Sequence, residues 1–487
     1  MGDTKKGIAL FGRIVLTKNI LKKERYPMNS IIQELMNSAL KESFQDLQVL
    51  LHGELTFDSL VEQLKQRFLE LTSNFLTLEL EVADQLLIKT AKQKKWLIHD
   101  KREKTIKTLI GPITVNRRYY VNQANEYKYL LDDLLDIESY QRTTTAVESA
   151  IIERAAITSY QKTVEQIGLP VGIESKSTVM RILRKYQDFD LVEENTVEPI
   201  RHPHRLFIEA DEGHLSSQKT NSLLAHLIVI HEGWEQVDNS HRRLINKHVF
   251  GGIYTQQTEQ LWTNVLDYLD THYQLDNVPE IIISGDGATW IRQGSTIIPN
   301  SIFILDRFHT VQTVRQLSTQ LSVPTGTLLS WIAQDKKQPI QTLINQRLEE
   351  WGATELSEFK RQSINRLKYY LFTNWLAIQE QKRDNFHGTN MEGQVSHIIA
   401  DRTSSRPISW SKLGSNIIVH WRVLLANGGN VSTEIQRQKA QYNKVKRIKQ
   451  VDGRILRRLS HKTEHIAVTI GRFLNENIQF KKINYHN

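Results

Sequence analysis

The stretch Arg205-Leu206-Phe207-Ile208-Glu209-Ala210-Asp211 decides how the middle of this chain is read. Its apolar, strand-favouring residues run into an acid, so it reads as a strand that ends on a carboxylate. Working outward, strands are expected at 205–210, 223–230, 247–253, 280–284 and 301–305, with a helix at 255–270 and another after 305. The region from 200 to 318 is therefore expected to be an α/β core.

Three consecutive strands, then a helix and a further strand, match the order of a ribonuclease H-like fold. Asp211 then ends the first strand, and Asp286 follows the fourth, after Ile281-Ile282-Ile283-Ser284-Gly285. Phe207, Glu209 and Asp211 share a face, which makes Glu209 a rival for the same role. Gly285 and Gly287 around Asp286 let backbone and ligand approach closely, or mark a plain Asp-Gly turn. A third acid, Glu392, lies in Asn390-Met391-Glu392-Gly393-Gln394-Val395. Carboxylates on separate elements can converge on a pair of magnesium ions that activate an attacking oxygen and stabilise a leaving one. The rest of the chain is accordingly read as machinery for nucleic acid.

With 487 residues the chain has room for several domains. It has no cysteine, which excludes disulfides, thiolate zinc sites and cysteine nucleophiles, so any metal is held by oxygen or imidazole. No apolar run approaches a membrane span, and Arg13 interrupts the only stretch that imitates a signal peptide. A cytoplasmic protein, nucleoid-associated when on DNA, is the expectation. The net charge is +9, and after residue 430 thirteen Lys and Arg face four acids, leaving 50 of each before it. The excess thus sits in a tail whose densest run includes Lys444, Lys446 and Arg447, suited to a polyanion or to solvent.

The expected organisation is a flexible 1–27, a helical region 28–100, a basic β-hairpin 101–125, a trihelical unit 140–190, the core 200–318, a helical insertion 319–385, the rest of the core with Glu392 at 386–430, and the basic tail 431–487. Leu60, Leu64, Phe68 and Leu71 form one stripe of the first helical region, and Leu78, Val82, Leu86 and Leu87 continue the period. On the hairpin, Lys104, Lys107, Arg117 and Arg118 could touch phosphates or form a solvated face. In the trihelical unit Val179, Ile182, Leu183 and Tyr186 point inward, leaving Lys176, Arg181, Arg184 and Lys185 near or on the outside. Such a unit could set its last helix in a major groove, or could be plain helical packing. Trp331, Trp351 and Trp375 in the insertion read most simply as core anchors.

Four strings in this order, Ile208-Glu209-Ala210-Asp211-Glu212, Ser284-Gly285-Asp286-Gly287-Ala288-Thr289-Trp290-Ile291, Leu305-Asp306-Arg307-Phe308-His309 and Met391-Glu392-Gly393-Gln394-Val395-Ser396-His397, resemble the DDE transposases of bacterial insertion sequences, and most closely the Lre-two group. The basic hairpin and Arg402-Thr403-Ser404-Ser405-Arg406-Pro407 with Trp410 are similar to that group as well. The resemblance implies that Asp211, Asp286 and Glu392 bind Mg2+, or Mn2+, in a two-metal site within an RNase H-like core. Asp306 and His309 match an Asp-x-x-His element of related transposases such as the Mutator-like group, where His309 would support the active site, against a structural histidine satisfied by Asp306. Arg402 and Arg406 would contact phosphate, or cap helices. The implied partners are transposon-end and target DNA, with a homo-oligomer on the DNA and no membrane. The implied reaction is DNA cleavage followed by strand transfer; the alternatives are an RNase H-like nuclease that does not join strands and a domesticated, non-catalytic DNA-binding protein.

Overall fold

The computed structural model describes residues 36–37, 40–41, 43–45, 48–52, 56–189, 199–219, 222–238, 242–255, 258–351, 357–383, 386, 388–404 and 408–443. The expectations for residues 1–27, for Arg406 and for Lys444, Lys446 and Arg447 lie outside the described residues. The chain is a mixed α/β protein that divides into two compact units, residues 1–148 with 164–174 and residues 149–163 with 175–487. Among the described residues no helix is long and apolar enough to cross a membrane.

In the first unit α1 (Phe57–Gln93) is a single helix of 37 residues, begun by Thr56, whose side chain accepts from the Ser59 N–H. The strands β1 (Leu97–Thr108) and β2 (Gly111–Val121) form an antiparallel hairpin, extended by β3 (Tyr127–Lys128). Its turn ends on Gly111, whose φ of +113° suits glycine. Alternation sends Ile113 and Val115 inward, where they meet Leu76, Leu80, Ala83 and Leu87 of α1. Leu87 belongs to the anticipated stripe, but Leu76, Leu80 and Ala83 do not, and Phe68 is exposed.

The same hairpin corrects the reading of its arginines. Arg117 and Arg118 are both buried. Arg118 bonds the 1% exposed carboxylate of Asp84 through Nη1 at 2.5 Å, and its backbone N–H donates to the same group at 3.2 Å. Arg117 pairs with Asp132 at 3.1 Å, a carboxylate it shares with Lys104, and lies over the Tyr129 ring. The two arginines brace hairpin to helix and are removed from the candidates for phosphate contact. Asp84→Ala leaves the Arg118 charge buried without its partner, and is expected to cost about 3–5 kcal/mol. The urea midpoint measures this, and a loss below about 1 kcal/mol would show that the pair is not buried in solution.

The second unit is built on a five-stranded sheet in the order β10-β9-β4-β5-β8. Its strands are β4 (Arg205–Leu215), β5 (Leu223–His231), β8 (His248–Gly252), β9 (Glu280–Gly285) and β10 (Ser301–Leu305), while β6 (Trp234–Gln236) and β7 (Arg242–Leu244) form a separate two-stranded ribbon between β5 and β8. β5 is antiparallel to β4 and β8, whereas β9 is parallel to β4 and β10. Leu206, Ile208 and Ala210 alternate onto one face, with Ile281 and Ile283 beside them. Helices α4 (Thr258–His272) and α5 (Thr289–Ile297) cover that face with Leu261, Trp262, Val265, Leu269 and Ile291. A side chain at Gly294 would meet Trp262 at 2.5 Å, so glycine is what lets α4 and α5 pack.

After β10 come α6 (Arg307–Leu321), α7 (Thr325–Ala333), α8 (Lys337–Glu350), α9 (Glu358–Thr373) and α10 (Trp375–Gln379). They share a second core, in which Trp375 is buried and bonds Asp335 at 2.7 Å, while Trp331 and Trp351 pack at its edge. The tryptophans of this region are thus packing residues. The chain then returns to the sheet with α11 (Met391–Val395), a π-helical turn Ser396–Ala400 and α12 (Lys412–Ala426), followed by a helix over 431–443.

Candidate active site

The face of β4 away from α4 and α5 carries Phe207, Glu209 and Asp211. β9 pairs with it in the register Phe207 to Ile282 and Glu209 to Ser284, so two residues further on Asp211 and Asp286 stand side by side. β4 continues to Leu215 along β5, whereas β9 stops at Gly285, and the sheet opens next to Asp211 where Asp286 leaves it. Gly285 permits this approach, since a Cβ there would lie 2.5 Å from the Ala210 carbonyl. Gly287 has a φ of +88° and turns the chain into α5.

Asp211 accepts from the Glu212 N–H at 2.8 Å and Asp286 from the Ala288 N–H at 2.8 Å. Burial pushes the Asp211 carboxyl up from its ordinary range, Asp286 and Asp306 push the same way, and the Glu212 N–H and His309 oppose them. Glu212 is pushed up too, by burial first and then by Asp286 and Asp211. Asp306 is buried, caps α6 by accepting from the Phe308 N–H, and donates its own N–H to the Gly285 carbonyl at 2.8 Å. His309 stands in the first turn of α6 beside this group. The structure thus gathers Asp211, Asp286, Asp306 and His309, and adds Glu212, whose place beside Asp211 gave no separate signal.

The helical segment after β10 supplies positioning that periodicity could not reveal. The Tyr370 hydroxyl donates to the Asp286 carbonyl at 2.5 Å, and Arg292 Nε donates to the Gly287 carbonyl at 3.1 Å. Asn374 accepts from the Arg292 guanidinium and donates to the Tyr370 carbonyl. Burial, then Asp286 and Asp306, keep the Tyr370 hydroxyl protonated as the donor. The end of α9 therefore clamps the turn that presents Asp286.

Glu392 does not join Asp211 and Asp286 in a metal-holding group among the described residues. It is exposed on α11 and lines a cleft with Arg242, Arg243, Lys247 and His397. The residue that reaches α11 from β4 is Glu209: its carboxylate is 1% exposed, with Oε1 3.2 Å from His231 Nε2 and Oε2 accepting the Asn390 N–H at 3.0 Å. Below it Gly213 makes room for Ile399, and buried Arg422 donates to the carbonyls of His397, Ile398 and Ala156. Glu209→Gln keeps an acceptor for Asn390 and is expected to be mild. Glu209→Ala strands both donors and is expected to cost about 1–3 kcal/mol, measured by chemical denaturation. Equal stability of the two variants would dismiss this bridging role.

After α2 (Thr145–Ile157), Lys176, Arg181, Arg184 and Lys185 are exposed along α3 (Lys176–Lys185), while Val179, Ile182, Leu183 and Tyr186 are buried. Ser175 caps this helix. Arg402 is a further correction. It is buried, donates from Nε to the Ala155 carbonyl at 2.9 Å and packs over Tyr160 and Trp410, so it is committed to the interior.

Among the described residues no group of three or more His, Cys, Asp or Glu is spaced to hold a metal ion. The Asp211–Asp286 pair nevertheless suits two ligands of a hard divalent cation: two carboxylates crowded together, one of them already pushed up, are relieved by positive charge between them.

One relative from Caldanaerobacter subterraneus subsp. tengcongensis, a UPF0236 protein whose name joins eleven designations, is 28% identical over 405 residues, covering 82% of this chain and 84% of its own length. A second UPF0236 protein of that organism is 27% identical over 419 residues, covering 85% and 83%. Among solved structures, the Drosophila P element transposase strand transfer complex aligns with 60% of this chain and 81% of its own at 11% identity and a TM-score of 0.23, a likeness too slight to bear on fold or function. The family described as an uncharacterised protein family, UPF0236, matches residues 50–440, and the chain belongs to it.

Proposed function

We propose that the protein is a DDE transposase with an RNase H-like core, which binds insertion-sequence ends and carries out metal-dependent DNA cleavage and strand transfer. The observation that carries this reading is the placement of Asp211 on β4 and of Asp286 just past the end of the adjacent parallel strand β9, in a sheet ordered β8-β5-β4-β9-β10 whose first three strands are antiparallel and whose last two are parallel to β4. That is the strand order of the RNase H-like fold. A relative whose name joins eleven designations within one organism is also what a gene that copies itself would leave.

In this reading Asp211 and Asp286 hold Mg2+, or Mn2+, with Glu392 completing the set once DNA is bound. The metal ions would activate the attacking oxygen and stabilise the leaving one. The chain's own part is positioning. Tyr370, Asn374 and Arg292 hold the Asp286 turn, Asp306 ties α6 to the end of β9, and His309 offsets the negative charge at Asp211. The exposed cations Lys176, Arg181, Arg184 and Lys185 of α3 would contact end DNA, in a complex of several copies of the chain. The test is a cleavage and strand-transfer assay with Mg2+ on duplexes carrying the element's own ends. Ends that are bound yet neither cut nor joined under any divalent cation would instead establish the non-catalytic DNA-binding alternative, which draws on the separation of Glu392 from the aspartate pair. Cutting without joining would establish the nuclease.

A further inference from the structure

We propose that the cleft between the β6–β7 ribbon and α11 is a phosphodiester site, which seats one strand of DNA against Glu392. The inference rests on the transposase reading and names where that activity would grip its substrate. Arg242, Arg243 and Lys247 line the cleft, with Trp234 and His397 beside Glu392. Two arginines and a lysine thus line the cleft with one exposed carboxylate. The Arg243 pair with Glu235 is exposed on both sides and offsets little of that charge, and Arg242 donates to the neutral Gln236.

Lys247 is the most telling of the three. It is half-buried, and among the described residues its side chain has a single hydrogen bond, a 3.5 Å contact to Gln394, and no carboxylate partner. Burial pushes its ammonium down from the usual lysine range. A cation held in that way is costly until an anion meets it.

The cleft is also held ready. Glu209 bonds both of its walls, through His231 at the foot of the ribbon and through Asn390 at the start of α11. The ribbon's foot is closed by the Glu232 N–H to Ile245 carbonyl and Ile245 N–H to Gly233 carbonyl bonds, with Gly233 at a φ of +114°. Rigid walls reduce the entropy lost on binding. The aromatic surface of Trp234 among the cations suits a nucleic acid strand, which brings bases as well as phosphates. Inorganic phosphate would use the cations alone.

The test measures anisotropy of a labelled single-stranded oligonucleotide with the full-length chain in EDTA, between about 50 and 200 mM salt. For the triple variant Arg242→Ala, Arg243→Ala, Lys247→Ala, the slope of log affinity on log salt is expected to be smaller by about 2, from about 0.7 per phosphate on single strands. The wild type then loses about fifteenfold more affinity than the variant across that range. Glu392→Gln removes the carboxylate that lines the cleft and is expected to tighten metal-free binding, which decides the matter if the triple variant does not fold. Binding of the wild type with an unchanged slope in a folded triple variant, or weaker binding by Glu392→Gln, overturns the cleft and leaves the transposase reading standing. Millimolar inorganic phosphate that displaces the strand at constant ionic strength overturns the assignment to DNA. Failure of the wild type to bind any DNA, single-stranded or duplex, overturns the transposase reading and this inference with it.

Discussion

Asp211→Asn and Asp286→Asn are each expected to lower cleavage of element-end DNA by about a thousandfold or more, and to abolish the stabilisation that Mg2+ gives the folded chain. Each change removes a ligand charge while nearly preserving shape. In the metal-free protein the sign of the stability effect runs the other way. Asp211 and Glu212 are pushed up chiefly by burial, with Asp286 adding to both. A carboxyl raised in the folded state keeps its proton there longer than in the unfolded chain. Stability from this source is therefore highest below the ordinary carboxylate range and is lost as pH rises through the raised values. Asp286→Asn removes one of the charges that raise them, so at neutral pH the metal-free variant should melt no lower than the wild type and depend less on pH. Glu392→Gln should behave differently. It lies in the basic cleft, so cleavage should fall while Mg2+ still stabilises the unreacted chain. Thermal melts with and without Mg2+, run beside the cleavage assay, separate these outcomes. Wild-type cleavage by Asp286→Asn would refute the site, and loss of Mg2+ stabilisation in Glu392→Gln would place Glu392 with the pair before DNA arrives.

Removal of the basic tail is expected to flatten the salt dependence of DNA binding. Residues 431–443 must stay, because Val431 and Ile435 of that helix are buried. A chain ending at 443 still loses eleven Lys and Arg against three acids. If about six of these neutralise phosphates on duplex DNA, the log–log slope of the full chain is steeper by about 5, from about 0.9 per phosphate. Between about 50 and 200 mM salt that is on the order of a thousandfold in affinity. Sequence preference should barely change, since phosphate contacts position a protein without reading bases. Parallel salt slopes for the two chains would show that the tail does not touch DNA.

The local pattern of this chain determined most of its core elements. The run 301–305 is β10 itself, 223–230 falls within β5, and the stripe Val179, Ile182 and Leu183 of α3, with Tyr186 at its end, is buried. These readings depend on the side chains of one segment, which its own sequence contains. β4 runs on past the expected 205–210 through Glu212, Gly213 and His214, because β5 pairs with them. The β6–β7 ribbon is too short and too charged to show a period. Alternation located the hairpin, but Asp84 on α1 and Asp132 after β3 decided that Arg117 and Arg118 are braces.

The site divides in the same way. Two strand ends marked Asp211 and Asp286, yet only the parallel pairing of β4 with β9 set them side by side. Tyr370 and Asn374 carried no mark, because their use lies in a turn more than eighty residues away. Glu392 and Lys247 meet in one cleft because Glu209 bonds Asn390, 181 residues distant, and because Ile399 fits over Gly213. A segment's own spacing specifies its local shape, since those energies act within a turn or a strand. Which side chains then confront one another depends on packing between segments remote in sequence, and that only the tertiary structure decided.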